Sequence, residues 1–192
     1  MRIRPHATHS PHAPVLILAV VVGSLTAGRA FPAAQLIDPE YHLKAAVVSK
    51  FPAFVEWPAA ALDSRATIDL CVARPNPFGA TLRQLVSGES LRGRTMVTRE
   101  VASGSDLDEC HLLFVPRGSD IDTRVLIAGA AKHHVLTVGE SPRFLEEGGI
   151  INLHLVEGRI RFEVDMAAAN RAGVRLSSQL LRLATQVRGG PS

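Results

Sequence analysis

The segment GGIINLHLVEGRIRFEVD, residues 148–165, reads as a β-hairpin and sets the frame for the rest of the chain. Ile150–Val156 and Arg159–Asp165 alternate apolar and polar side chains, and Glu157-Gly158 between them has the form of a two-residue hairpin turn. That turn places Leu155 opposite Ile160, Leu153 opposite Phe162 and Ile151 opposite Val164, so one face is wholly apolar. The other face sets His154 opposite Arg161 and Asn152 opposite Glu163. A slip of one residue would bury that polar row, so the register is strongly specified.

Working outward, Asp165 can cap a short helix over 167–172, with Gly173 placed to end it. Val174–Leu176 reads as extended, and Ser177 caps a last helix with Leu180, Leu183 and Val187 along one side. Upstream, strands are expected at 134–138, 111–115, 95–101 and 67–73. Helical stripes alternate with them, one through Ile121, Val125 and Ala128 and another through Phe78, Leu82, Leu85 and Val86. A first helix starts at Glu40, with Leu43, Val47, Phe51 and Phe54 as its apolar stripe, and Pro52 interrupts it. Strands and helices in this order predict an α/β fold, a single layered domain with a mixed β-sheet flanked by helices, over residues 40–188. Residues 31–39 read as a flexible arm and 189–192 as a disordered tail.

The beginning of the chain reads as an export signal. Arg2 and Arg4 precede the apolar run Val15–Leu25, and small residues follow at Ala27, Gly28 and Ala30. Charged, apolar and small regions in that order make residues 1–30 a secretory signal peptide cleaved near Ala30, too short in its apolar part to span a bilayer. The whole chain carries 21 basic and 18 acidic residues, but Arg2, Arg4 and Arg29 lie in the leader, which leaves 18 against 18. A balanced mature domain lacks the electrostatic footprint of a nucleic-acid binder.

Cys71 and Cys110 are the two cysteines. In an oxidising compartment an even pair reads as a disulfide in preference to two reactive thiols. Closing that loop would stabilise by about 3–5 kcal/mol on the loop-entropy account. Two cysteines without a neighbouring histidine pattern do not make a tetrahedral metal set, so no metal is expected. No phosphate-binding glycine loop, His-Glu-x-x-His or Gly-x-Ser-x-Gly occurs. The histidines beyond residue 30, His42, His111, His133, His134 and His154, read as surface or strand-edge residues, the adjacent pair pointing to opposite faces of a strand. No catalytic residue and no cofactor are nominated, and the chain is read as a non-enzyme. The candidate binding surface is the polar row of the hairpin, Asn152, Arg161 and Glu163, bordered by Arg171 and Arg175. Arginines on a rigid open face suit a carboxylate, a phosphate or an acidic partner loop.

Several motifs in order resemble YfiR-like proteins between about Tyr41 and Val187. They are Tyr41-x-x-Lys44-Ala45-Ala46, Phe51-x-x-Phe54-Val55-Glu56-Trp57-Pro58, Cys71-Val72 with Pro77-Phe78-Gly79, Cys110–Val115, and Leu136–Gly139. Further along come Gly148-Gly149-x-Ile151-Asn152, Arg159-x-Arg161-Phe162-Glu163-Val164 and Ala172-Gly173-x-x-Leu176-Ser177-Ser178. Lys50, where asparagine is expected, and Pro52 depart from that pattern at the end of the first helix. The resemblance implies a periplasmic repressor that binds the periplasmic sensor region of an inner-membrane diguanylate cyclase, restraining cyclic-di-GMP synthesis and biofilm formation. It implies an outer-membrane lipoprotein that sequesters the repressor, a homodimer, and pairing of Cys71 with Cys110. The competing reading is a periplasmic small-molecule module that holds an anion among Arg161, Arg171 and Arg175.

From the charge balance, the mature protein is expected to bind duplex DNA no tighter than about 1 µM at physiological salt. Fluorescence anisotropy across a salt series checks this, and tight binding that weakens steeply with salt would contradict it.

Overall fold

The computed structural model describes residues 38–63 and 65–190. The signal peptide at 1–30, the arm up to residue 37 and the last two residues of the tail lie outside the described residues. The chain runs α1 (Pro39–Val48), a 3-10 turn (Phe51–Phe54), β1 (Val55–Glu56), α2 (Ala59–Leu62) and β2 (Thr67–Ala73). It continues through α3 (Thr81–Val86), β3 (Ser90–Leu91), β4 (Arg94–Val101), β5 (Leu112–Val115), α4 (Thr123–Lys132) and β6 (Leu136–Gly139). The last part comprises β7 (Ile151–Val156), β8 (Arg159–Asp165), α5 (Met166–Ala172), β9 (Arg175–Leu176), α6 (Ser178–Leu183) and β10 (Gln186–Arg188).

Eight strands form one mixed sheet in the order β10-β8-β7-β6-β5-β2-β4-β3, and β1 pairs with β9 in a separate two-stranded ribbon. The centre of the sheet is parallel, β4, β2, β5, β6 and β7 running the same way. Parallel strands need cover on both faces, and this sheet has two apolar layers. One contains Leu70, Phe114, Val138, Leu153 and Phe162 with Ala45 and Val48 of α1 and the alanines of α5. The other contains Cys71, Leu113 and Val115 with Leu126 and Ala130 of α4 and Phe144. Phe144 packs so closely on Gly139 and Gly149 that a Cβ at either position would overlap its ring.

The β7–β8 register is the one derived from the sequence, Ile151 opposite Val164 through Val156 opposite Arg159. Glu157 and Gly158 take φ of 50° and 73°, the left-handed pair that a tight hairpin turn requires. Asp165 caps α5 by accepting from the Ala168 amide at 2.8 Å, and Gly173 ends it at φ 70°. Ser177 caps α6 through the Leu180 amide. Cys71 and Cys110 are joined in a disulfide.

Four local expectations need correction. In α1 the inward face is Lys44, Ala45 and Val48, while Leu43 is 44% exposed. The helix begins at Pro39, capped by Asp38, and turns about its axis from the apolar reading because Lys44 is drawn inward by a buried carboxylate. In α4 the core side is Leu126, Ile127 and Ala130, with Val125 outside. His133 ends α4 and His134 sits in a turn at φ 59°, so neither lies on a strand. The final helix stops at Leu183, and Val187 belongs to β10, which pairs in parallel with β8.

The carboxylate that draws Lys44 inward is Glu140, directly after β6. Its Oε2 pairs with Lys44 Nζ, while its Oε1 accepts from Tyr41 Oη at 2.8 Å and from the Arg117 amide at 2.7 Å. Lys44 is also paired with Glu40 one turn earlier. Burial, and then the Glu140 hydrogen bond, raise the Tyr41 phenol far above its ordinary range. Removing one member of a buried pair strands the other, typically at a cost of about 3–5 kcal/mol. Lys44→Met is therefore expected to destabilise by about 3 kcal/mol or more, and Lys44→Met with Glu140→Gln to recover part of the loss. Equilibrium urea unfolding of the single and double variants measures both.

Candidate docking surface

Alternation along the strands assigns each predicted residue to a face. Cys71 lies beside Leu113, Leu113 beside Thr137, and Gly139 beside Asn152. Asn152 pairs with Glu163, and His154 with Arg161. The polar row thus continues the sheet face covered by α4. Arg161 is exposed and Glu163 half-buried, both held by pairing of β8 with β7. Glu163 is flanked on its other side by Gln186 of β10. Next to it Arg188 lies 3.5 Å from Asp165, closing the outer edge with an ion pair.

Asn152 departs from the solvated row expected of it. It is 7% exposed, and its Oδ1 is buried without a hydrogen-bond partner among the described residues. It pairs with Gly139, on which the Phe144 ring packs. Arg171 projects from α5 near Gly148 and lines a cleft with Arg124 of α4. Arg175 stands on β9 opposite Glu56, in the separate ribbon. Among Arg161, Arg171 and Arg175, only Arg171 lines that cleft, so the three do not surround one anion.

A second polar cluster escaped the reading of the sequence. Asp69, on the central strand β2, is 1% exposed and accepts from Arg99 Nε at 2.5 Å and Thr67 Oγ1 at 2.5 Å. His111 is also 1% exposed, not a surface residue. Its Nδ1 accepts from the Asp69 amide at 3.1 Å, leaving Nε2–H to donate to the Ala61 carbonyl at 3.2 Å. Trp57 Nε1 donates to the His111 carbonyl and its ring meets the imidazole edge-on. The only sequence signals were the charged residue inside an otherwise apolar strand and the histidine next to Cys110. Among the described residues no group of three or more His, Cys, Asp or Glu side chains converges to hold a metal.

The sequence profile of the YfiR/HmsC-like family matches residues 41–185, which includes the buried Lys44–Glu140 pair, the Cys71–Cys110 disulfide and the hairpin. The chain belongs to the YfiR/HmsC-like family. Two solved structures are similar at low identity. A conserved domain protein from Vibrio cholerae O1 biovar El Tor is 11% identical, with 68% of this chain and 57% of that one covered and a TM-score of 0.45. An ABC domain in complex with L-Trp from Streptococcus pneumoniae is 12% identical, with 74% and 60% covered and a TM-score of 0.49. The present chain thus spans under two thirds of the length of both.

Burial holds the His111 imidazole below its ordinary pKa and outweighs the opposing pull of Asp69, with Arg65 and Arg94 acting in the same direction as burial. The folded state then binds a proton less readily than the unfolded one. The stabilisation from this site is complete above about pH 6.5 and is lost as pH falls through the depressed folded value. Unfolding free energy is expected to drop between about pH 7.5 and pH 5. His111→Asn, whose Oδ1 can replace Nδ1 as acceptor for the Asp69 amide, is expected to flatten that slope in urea titrations at the two pH values.

Proposed function

We propose that this chain is a periplasmic regulator that binds the periplasmic sensor region of an inner-membrane diguanylate cyclase and holds it inactive. The observation that carries the reading is family membership across residues 41–185. Among the described residues no helix is long and apolar enough to cross a membrane. Control of cyclic-di-GMP and biofilm formation, sequestration by an outer-membrane lipoprotein and a homodimeric state belong to the same proposal. The polar row of the hairpin supports it physically. Arg161 and Glu163 stand on paired strands, so a partner meets them without an ordering cost in the backbone. Arg171 borders this face and Asn152 is the buried member of its row, whereas Arg175 lies apart from it in the β1–β9 ribbon.

A substitution test separates docking from folding. Phe162 is 8% exposed and meets Phe51 edge-on at 5.5 Å, whereas Glu163 beside it points to the polar face. Glu163→Lys is expected to change stability by no more than about 0.5 kcal/mol. On a docking face the reversed charge can cost several kcal/mol of affinity. Cells carrying Glu163→Lys should show raised cyclic-di-GMP at a normal periplasmic level of the protein. Phe162→Ala should lower the level itself, through loss of about 3–5 kcal/mol of packing. Full repression by Glu163→Lys at normal level would remove this face from the partner site.

A further inference from the structure

We propose that the cleft between α4 and α5 is a binding site for a small organic acid, with the carboxylate at its rim and a hydrogen-bond acceptor at its far end. The cleft has a volume of about 250 Å³, just below the range of pockets for drug-sized molecules, so a small ligand suits it. Its strand residue Thr137 is on the sheet face that carries the polar row of the hairpin, and its chemistry requires no cyclase partner.

Its rim is cationic. Arg124 and Arg171 face it from the two helices, and neither guanidinium forms an ion pair or a side-chain hydrogen bond among the described residues. Glu147, the one carboxylate of the lining, is engaged by Arg143, 4.0 Å away. Two unpaired guanidiniums from separate helices make a fork that matches a carboxylate better than any single charge would.

Its walls are apolar and cut back. Ala131 of α4 and Ala172 of α5 stand where longer side chains would close the gap, and Val135 closes one side. A helix pair packed only for stability would fill this space, since interiors approach crystal-like density.

Its floor carries an unused donor. Thr137 lines the cleft and is 2% exposed. Its oxygen accepts from the Ile150 amide at 3.0 Å, and its hydroxyl proton has no acceptor among the described residues. A buried hydroxyl can donate one bond and accept two, and leaving the donor unmet is costly. A ligand oxygen at the far end of an apolar body would meet it, while the carboxylate stays between the arginines.

The probe is 4-hydroxybenzoate, with 4-hydroxybenzyl alcohol as its uncharged counterpart, titrated calorimetrically into the exported protein. Saturable binding with a dissociation constant of about 1 mM or tighter is expected, and binding of the alcohol at least about tenfold weaker. Arg171→Gln changes an exposed residue and is expected to weaken 4-hydroxybenzoate at least about tenfold. Ala131→Leu, which fills the cleft with a good helix former, is expected to abolish binding. The proposal is overturned by no saturable binding, by equal binding of acid and alcohol, or by an unchanged constant in Arg171→Gln. Should Ala131→Leu fold poorly, Arg171→Gln and the paired probes still decide. Cyclic-di-GMP levels play no part in these outcomes, so failure here leaves the regulatory reading standing, and the reverse.

Discussion

Burial of β2 on both of its faces is the constraint from which the rest of the architecture follows. No residue from Ile68 to Ala73 is more than 2% exposed. Its backbone is satisfied by parallel pairing with β4 on one side and β5 on the other. Its two faces then demand two separate covers. The segment 39–62 supplies one together with α5 and α6, and α4 with the Phe144 segment supplies the other. The disulfide ties β2 to the start of β5 within the second layer.

Inside this apolar frame the charged groups are few and fully engaged. Asp69 is neutralised by Arg99 and sits against His111, and Glu140 ties Lys44 and Tyr41 of α1 to the chain after β5 and β6. Buried pairs of this kind add little net stability compared with apolar residues of the same volume, but they penalise every arrangement that separates them. Here they determine how α1 lies on the sheet. That helix carries a lysine inward and a leucine outward, the opposite of what hydrophobicity alone would choose.

The hairpin joins this frame to the proposed activity. β7 is anchored to β6 through Ile151 and Asn152, and the ribbon from Leu153 to Phe162 extends beyond that anchor. Its apolar side packs through Phe162 against Phe51, which leaves Arg161 and Glu163 on the face shared with α4. The base of the hairpin is also bound to the floor of the α4–α5 cleft, since Ile150 donates to Thr137 and accepts from Asp165. Docking face and cleft are therefore supported by the same few hydrogen bonds.

What could be read from the sequence was whatever depends on neighbours along the chain. The hairpin register follows from its two-residue turn and period-two alternation, the caps at Asp165 and Ser177 from side chains that reach amides three residues on, and the disulfide from an even pair of cysteines after a segment that reads as an export signal. The polar row was legible for the same reason, down to the pairing of Asn152 with Glu163. Only the tertiary structure decided what depends on distant partners. Lys44 is buried because Glu140 lies across from it, ninety-six residues away in sequence. His111 is buried because Asp69 and Ala61 complete its hydrogen bonds. Asn152 is buried on a strand paired with Gly139, where Phe144 packs, and Val187 leaves its expected helix because β8 offers it a free edge. Arg171 lines one cleft with Arg124 and not with Arg161 or Arg175 for a related reason: the face on which an arginine ends is set by the packing of its whole element, which no local pattern encodes.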